Sequence, residues 1–197
     1  MSALRGLALD EQPADADGGE RILIVSGGRG AGKTSFCLAL AQAAQEVGMA
    51  VAGLVSPAVF VAARKVAIDL HDLASGEQRR LALRARADAP GTAGLGWRFE
   101  ANGLAWGNRL LRGWQGSDLF VIDELGPLEF LGRGGLSERF AALARGRFRI
   151  AVVVVRPELL GAALARWPGA SVIEPPAVLG GARPYRADRP AQGEPPA

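Results

Sequence analysis

The chain of 197 residues has one cysteine and one histidine. A lone cysteine cannot close an internal disulfide. Cys37 falls in an apolar helical pattern, where a small buried hydrophobe is expected rather than a reactive thiol. His71 has no cysteine or second histidine near it in sequence, so no zinc-type site is expected. No apolar run approaches the roughly 20 residues that a membrane-spanning helix needs. Residues 1–10 lack the long apolar core and cleavage site of a signal peptide. These absences point to the cytoplasm and to no membrane partner. The formal net charge is only +3, nearly all of the positive charge being arginine. There is no concentrated basic stripe with interleaved aromatics and no helicase-like second core, so no nucleic-acid partner is expected. A protein partner is left open. No internal repeat is visible.

What the chain does have is Gly27-Gly28-Arg29-Gly30-Ala31-Gly32-Lys33-Thr34, a match to the G-x-x-x-x-G-K-[ST] phosphate-binding loop. Its setting matches as well. Arg21–Ser26 is an apolar run of strand type, and Phe36, Leu40, Ala43 and Val47 recur at helical spacing before Gly48. Glycines let consecutive N–H groups turn inward, and a helix N-terminus adds positive potential. Gly27, Gly28, Arg29, Gly30, Ala31, Gly32, Lys33, Thr34 and Ser35 are therefore the candidate nucleotide-binding residues. Lys33 supplies a mobile charge for the β- and γ-phosphates, and the Thr34 hydroxyl suits Mg²⁺.

The second signal is Asp118–Glu124, an apolar strand ending in Asp-Glu, which is a Walker B element. Asp123 suits Mg²⁺, directly or through water, because the hard cation prefers oxygen ligands. Glu124 can orient or deprotonate an attacking water. This pairing belongs to the P-loop class with an extra strand between the two motif strands. The continuous apolar run Ile150–Val155 is the candidate for it. Arg156 at its end then points toward the γ-phosphate, as a nucleotide sensor or transition-state cation; a solvated strand-end arginine is the plainer account.

The remaining pattern alternates strands and helices. Strands are expected at 50–56, 59–61, 66–70, 80–84, 97–99 and 171–173, and helices at 102–114, 136–145 and from Pro157 to about 167. In the first hairpin strand, Val66, Ile68 and Leu70 should face one way, and Lys65, Ala67, Asp69 and His71 the other. The expected architecture is a three-layer α/β sandwich with a mainly parallel central sheet and a β-hairpin insertion, of RecA-like, additional-strand catalytic-glutamate type. Residues 1–20 read as a loose lead-in, 21–175 as the P-loop domain, and 176–197, with five prolines, as a tail. A glycine-rich loop is expected at 90–96.

Asp123-Glu124-Leu125-Gly126-Pro127-Leu128-Glu129 resembles the D-E-[IL]-G-P-[ML]-E signature of a family of small P-loop nucleoside-triphosphatases, known from thermophiles and with a human cancer-related member. Gly53–Pro57 and Lys65–Glu77 resemble that family's G-[FL]-x-[ST] strand and its hairpin ending in D-L-x-[ST]-G. The resemblance covers roughly 21–175. It implies slow, Mg²⁺-dependent hydrolysis of ATP, GTP and other nucleoside triphosphates to diphosphate and phosphate, with little base selectivity. One departure is Arg29, where the family often has proline. A nucleotide or small-molecule kinase is the rival reading, with Arg79, Arg80, Arg84 and Arg86 as an arginine-bearing lid or as a solvated hairpin face. A slow nucleotide-dependent switch or assembly factor is another. The tryptophans, Trp97, Trp106, Trp114 and Trp167, read as core or pocket wall, with Trp97 also placed to stack on a base.

Overall fold

The structure, a computed structural model, describes residues 21–85 and 96–175. The expected lead-in (1–20), the tail (176–197), Arg86 and all of the 90–96 loop except Gly96 lie outside the described residues. Nine strands appear in chain order: β1 (Arg21–Ser26), β2 (Val51–Val55), β3 (Ala58–Val61), β4 (Arg64–Asp72), β5 (Gln78–Arg84), β6 (Trp97–Phe99), β7 (Ser117–Leu125), β8 (Phe148–Val155) and β9 (Ser171–Ile173). The helices are α1 (Lys33–Glu46), α2 (Ala101–Gly113), α3 (Pro127–Phe130), α4 (Glu138–Ala144) and α5 (Leu160–Arg166), the last preceded by a 3₁₀ turn at Pro157–Leu159.

All nine strands form one sheet in the order β6-β5-β4-β2-β7-β8-β1-β9, with β3 paired to β4. The expectation of a mainly parallel sheet needs correction. β2, β7, β8, β1 and β9 run parallel, but β4, β5, β6 and β3 pair antiparallel, so the sheet is mixed. The hairpin does not stand beside the sheet. It extends it, because β4 takes the free edge of β2 at Leu54–Val55 and pairs its backbone groups there. The expected intervening strand is present: β8 lies between β1 and β7.

The parallel strands are apolar on both faces because both faces are covered. Leu119 and Val121 of β7, with Val152 and Val154 of β8, pack with Cys37, Leu40, Ala41 and Ala44 of α1. Their neighbours Phe120, Ile122, Ala151, Val153 and Val155 pack on the other side with Trp106 and Leu111 of α2, Ala142 and Leu143 of α4, and Ala163 of α5. Helix–sheet–helix layering is thus as expected. Cys37 is fully buried.

The alternation expected in β4 fails midway. A register shift between Ile68 and Asp69 breaks it, so Ala67 and Leu70, read as opposite in facing, are both fully buried. Helix α2 reaches the hairpin through Gly103 and Gly107. A Cβ at Gly103 would lie 2.1 Å from the Arg80 carbonyl oxygen, so only glycine permits this approach.

Candidate functional site

Because β1, β2, β7 and β8 run parallel, their carboxyl ends meet on one edge. That edge gathers the Gly27–Gly32 loop from β1, Ser56 beyond β2, Asp123 and Glu124 from β7, and Arg156 beyond β8.

The loop turns through left-handed glycines, Gly30 at φ 79° and Gly32 at φ 85°, the second serving as N-cap of α1. No side chain caps this helix, so its first N–H groups remain oriented for an external acceptor. Lys33 folds over the loop and donates from Nζ to the carbonyl oxygens of Gly27 at 2.6 Å and Gly28 at 2.9 Å.

On β7 the ladder with β8 slips by one residue between Ile122 and Leu125. This bulge falls on Asp123 and Glu124, and bulges re-aim side chains next to functional sites. The peptide joining the two residues is cis. Asp123 is 2 % exposed. Its Oδ2 accepts from the Ser56 N–H at 3.1 Å, and the Ser56 hydroxyl donates to its carbonyl at 2.7 Å. Burial pushes the Asp123 carboxyl above its ordinary range, while the Ser56 N–H and the Thr34 hydroxyl on the same carboxylate pull it back. Thr34 and Asp123, the two expected Mg²⁺ ligands, are therefore brought together. A buried carboxylate beside a hydroxyl is an oxygen donor set that fits a hard divalent cation.

Glu124, partly exposed, pairs through Oε1 with Nε of Arg156. Of the three expected catalytic side chains, Glu124 and Arg156 thus stand at the strand ends and Lys33 at the loop–helix junction. Arg29 is exposed and does not fold into the loop interior. It leans toward the hairpin, where it lines a cavity with residues of β3, β4 and β5. Ser35, on the first turn of α1, is exposed.

One functional residue escaped the sequence reading. Arg139 of α4 is 3 % exposed and reaches under the Asp123–Glu124 turn. Its guanidinium donates to the carbonyl oxygens of Glu124 at 2.5 Å and Asp123 at 3.1 Å. It also pairs with Glu129 Oε1 at 3.3 Å. Burial lowers its proton affinity, and Glu129 opposes that most strongly. Glu129 in turn accepts from the N–H groups of Gly126 at 3.1 Å and Leu136 at 3.0 Å. The glutamate that ends the D-E-L-G-P-L-E segment is therefore a hub: it caps α3, anchors the 131–136 loop and holds the arginine that fixes the backbone of Asp123 and Glu124. An acidic residue three positions after a Gly-Pro helix start was the available signal for the cap. Nothing local marks Arg139 as buried.

Of the arginines weighed as a lid or a solvated hairpin face, Arg86 lies outside the described residues and the other three have separate partners. Arg79 pairs with Glu77 at 2.7 Å and lies over the Trp106 ring, and Arg80 pairs with Asp69 at 2.6 Å. Trp106 is buried, and Trp114 stacks on Phe120 with ring centroids 3.8 Å apart. Trp97 carries Lys65 and Arg84 over its ring, so it acts as a platform for cations.

The family model described as NTPase matches residues 22–166. The chain belongs to this family. It is 29 % identical over 107 residues to a nucleoside-triphosphatase THEP1 from Methanopyrus kandleri, covering 54 % of this chain and 58 % of that one. It is 30 % identical over 107 residues to the THEP1 of Caldivirga maquilingensis, covering 54 % and 60 %. The aligned part thus spans about three fifths of these relatives' length. The fold is similar to the solution structure of a human cancer-related nucleoside triphosphatase, with a TM-score of 0.57 at 18 % identity over 78 % of this chain and 88 % of that one. It is also similar to the crystal structure of THEP1 from Aquifex aeolicus, with a TM-score of 0.53 at 14 % identity over 80 % and 90 %. Among the described residues, no helix is long and apolar enough to cross a membrane.

Proposed function

We propose that this NTPase-family chain is a Mg²⁺-dependent nucleoside-triphosphatase that hydrolyses ATP, GTP and other nucleoside triphosphates by water attack on the γ-phosphate. One observation carries the reading. The carboxyl ends of the parallel strands β1 and β7, with β8 between them, bring the uncapped loop–helix junction, Lys33, Thr34, a buried Asp123 and Glu124 to one edge.

In this reading the loop N–H groups and Lys33 bind the β- and γ-phosphates, the lysine exchanging the Gly27 and Gly28 carbonyls for phosphate oxygens. Thr34 and Asp123 would hold Mg²⁺. When bound, the ion neutralises charge on the β- and γ-oxygens. Glu124 aligns a water in line with the γ-phosphorus and accepts its proton at a carboxylate oxygen. Arg156, now paired with Glu124, would trade that partner for the γ-phosphate. Ser56, Arg139 and Glu129 act through backbone: they fix the turn that aims the two acids. The RecA-like, additional-strand glutamate class is part of the same proposal, supported by β8 lying between β1 and β7. So are the domain limits 21–175, which contain the matched residues 22–166. A cytoplasmic location rests on the chain's single cysteine.

The test is phosphate release from a panel of nucleoside triphosphates, with and without Mg²⁺ and with and without candidate acceptors. Hydrolysis without acceptor that stops on chelation supports the reading. Turnover only in the presence of an acceptor would make the protein a kinase.

A further inference from the structure

Beside the phosphate loop lies a cavity of about 400 Å³, lined by Arg29, Phe60, Ala63, Arg64, Lys65, Val66 and Arg84. Four of these seven side chains are cationic and none is acidic. Among the described residues, no ion pair joins any of the four to a carboxylate, in contrast to Arg79 and Arg80 on the same hairpin. The fold gathers them deliberately: Arg29 comes from the loop, Arg64 and Lys65 from the start of β4, and Arg84 from the end of β5. Trp97 of β6 backs two of them, its ring 5.0 Å from Lys65 Nζ and 5.5 Å from the Arg84 guanidinium carbon. Holding cations together with no paired carboxylate among the described residues is unfavourable unless something anionic offsets the repulsion. Burial is the main cause that lowers the proton affinity of Lys65; Arg29 and Arg156 add to it, and Glu124 and Asp123 oppose it.

The cavity adjoins the nucleotide site described above without coinciding with it. Lys33, Thr34, Asp123, Glu124 and Arg156 do not line it, and Arg29 alone is shared.

We propose that this cavity binds a second ligand, a small phosphate monoester, next to the nucleotide. Three guanidinium groups offer the planar donor forks that match phosphate oxygens, and four positive charges suit a dianion. Phe60, Ala63 and Val66 give an apolar wall for the body of the molecule. The size is that of a small-ligand pocket. The cations converge on one concavity and do not run along a groove, so a nucleic-acid backbone fits less well than a compact anion.

Calorimetric titration with phenyl phosphate and, separately, inorganic phosphate tests this. It is done on the full chain carrying Lys33→Ala, which disables the loop independently of whether the chain hydrolyses anything. Saturable binding of phenyl phosphate is expected, weakening as salt is raised and tighter than that of inorganic phosphate, which lacks the apolar body. Adding Arg64→Ala and Arg84→Ala should reduce that affinity by about tenfold or more, because charge-assisted contacts are the strong ones. Both arginines are exposed, so the fold should survive, as a retained unfolding transition would show. Lys65→Gln is a second variant expected to weaken binding. No saturable binding in Lys33→Ala, or equal binding after the arginines are removed, would overturn the proposal. So would binding of a single-stranded RNA oligonucleotide with neither phosphate probe binding.

Discussion

Replacing Arg139 by methionine should destabilise the domain far more than any other arginine substitution on a described helix. Arg139 and Glu129 have side chains only 4 % and 8 % exposed. Methionine matches much of the arginine stem but removes every donor. The carbonyl oxygens of Asp123 and Glu124 then lose the guanidinium, and the Glu129 carboxylate is left buried with only the N–H groups of Gly126 and Leu136. Breaking a buried pair by deleting one partner costs about 3–5 kcal/mol. For a protein of this size each kcal/mol lowers Tm by roughly 2–4 °C, so a fall of about 6–20 °C is expected. Urea unfolding followed by tryptophan fluorescence gives the free energy, and an unchanged m-value keeps the comparison valid. Glu129→Gln removes the other charge. The double variant Glu129→Gln/Arg139→Met should lose less than the two singles summed, with a coupling of about 0.5–3 kcal/mol. A loss below about 1 kcal/mol for Arg139→Met, or strict additivity, would refute the claim that this pair holds the Walker B turn.

Lys33→Ala should abolish most nucleotide affinity by calorimetry, because no other loop side chain brings a cation to the β/γ-phosphates; unchanged binding would move the site elsewhere. Arg156→Ala should weaken triphosphate binding more than diphosphate binding, and equal effects on both would leave the arginine as the partner of Glu124 alone. The β3–β4 connection places two alanines in the left-handed region, Ala62 at φ 46° and Ala63 at φ 63°. Such a conformation costs about 1–2 kcal/mol per residue, and Asn-Gly is the preferred pair for this kind of turn. Ala62→Asn/Ala63→Gly should therefore raise stability by about 1 kcal/mol, glycine's extra unfolded-state freedom taking back part of the gain; a lower urea midpoint would contradict it.

Some of this molecule was readable from its sequence for definite reasons. The glycine spacing before Lys33 leaves few backbone paths, and the unbroken apolar run ending β8 fits only a strand covered on both faces. That is why β1, the helix after its glycine-rich turn, β7 and the strand between β1 and β7 were placed correctly as elements. What was missed depends on distant partners. The hairpin itself was read, but its docking on β2, which makes the sheet mixed, follows from no local pattern. The slip at Ile68–Asp69 overrode the alternation of β4. Helix α3 is four residues long, too short for periodicity to reveal. The helix expected at 136–145 begins at Glu138, and the Leu136 N–H just before it donates to Glu129. Arg139 sits in a helix whose sequence gives no sign that one arginine turns inward to meet a glutamate ten residues earlier.

Glu124→Gln tests the central claim most directly. The substitution keeps size and hydrogen bonding but removes the base, and it leaves Thr34 and Asp123 for the metal. Mg²⁺·ATP affinity, measured by calorimetry, and single-turnover phosphate release should be compared in the same preparation. Affinity should change little while the rate falls by about 10²–10⁴-fold, the contribution of a positioned acid–base group, since an interaction made only in the transition state lowers turnover and not binding. Hydrolysis at the wild-type rate would contradict the assignment of Glu124 as the base and, with it, the hydrolytic mechanism built on this edge of the sheet.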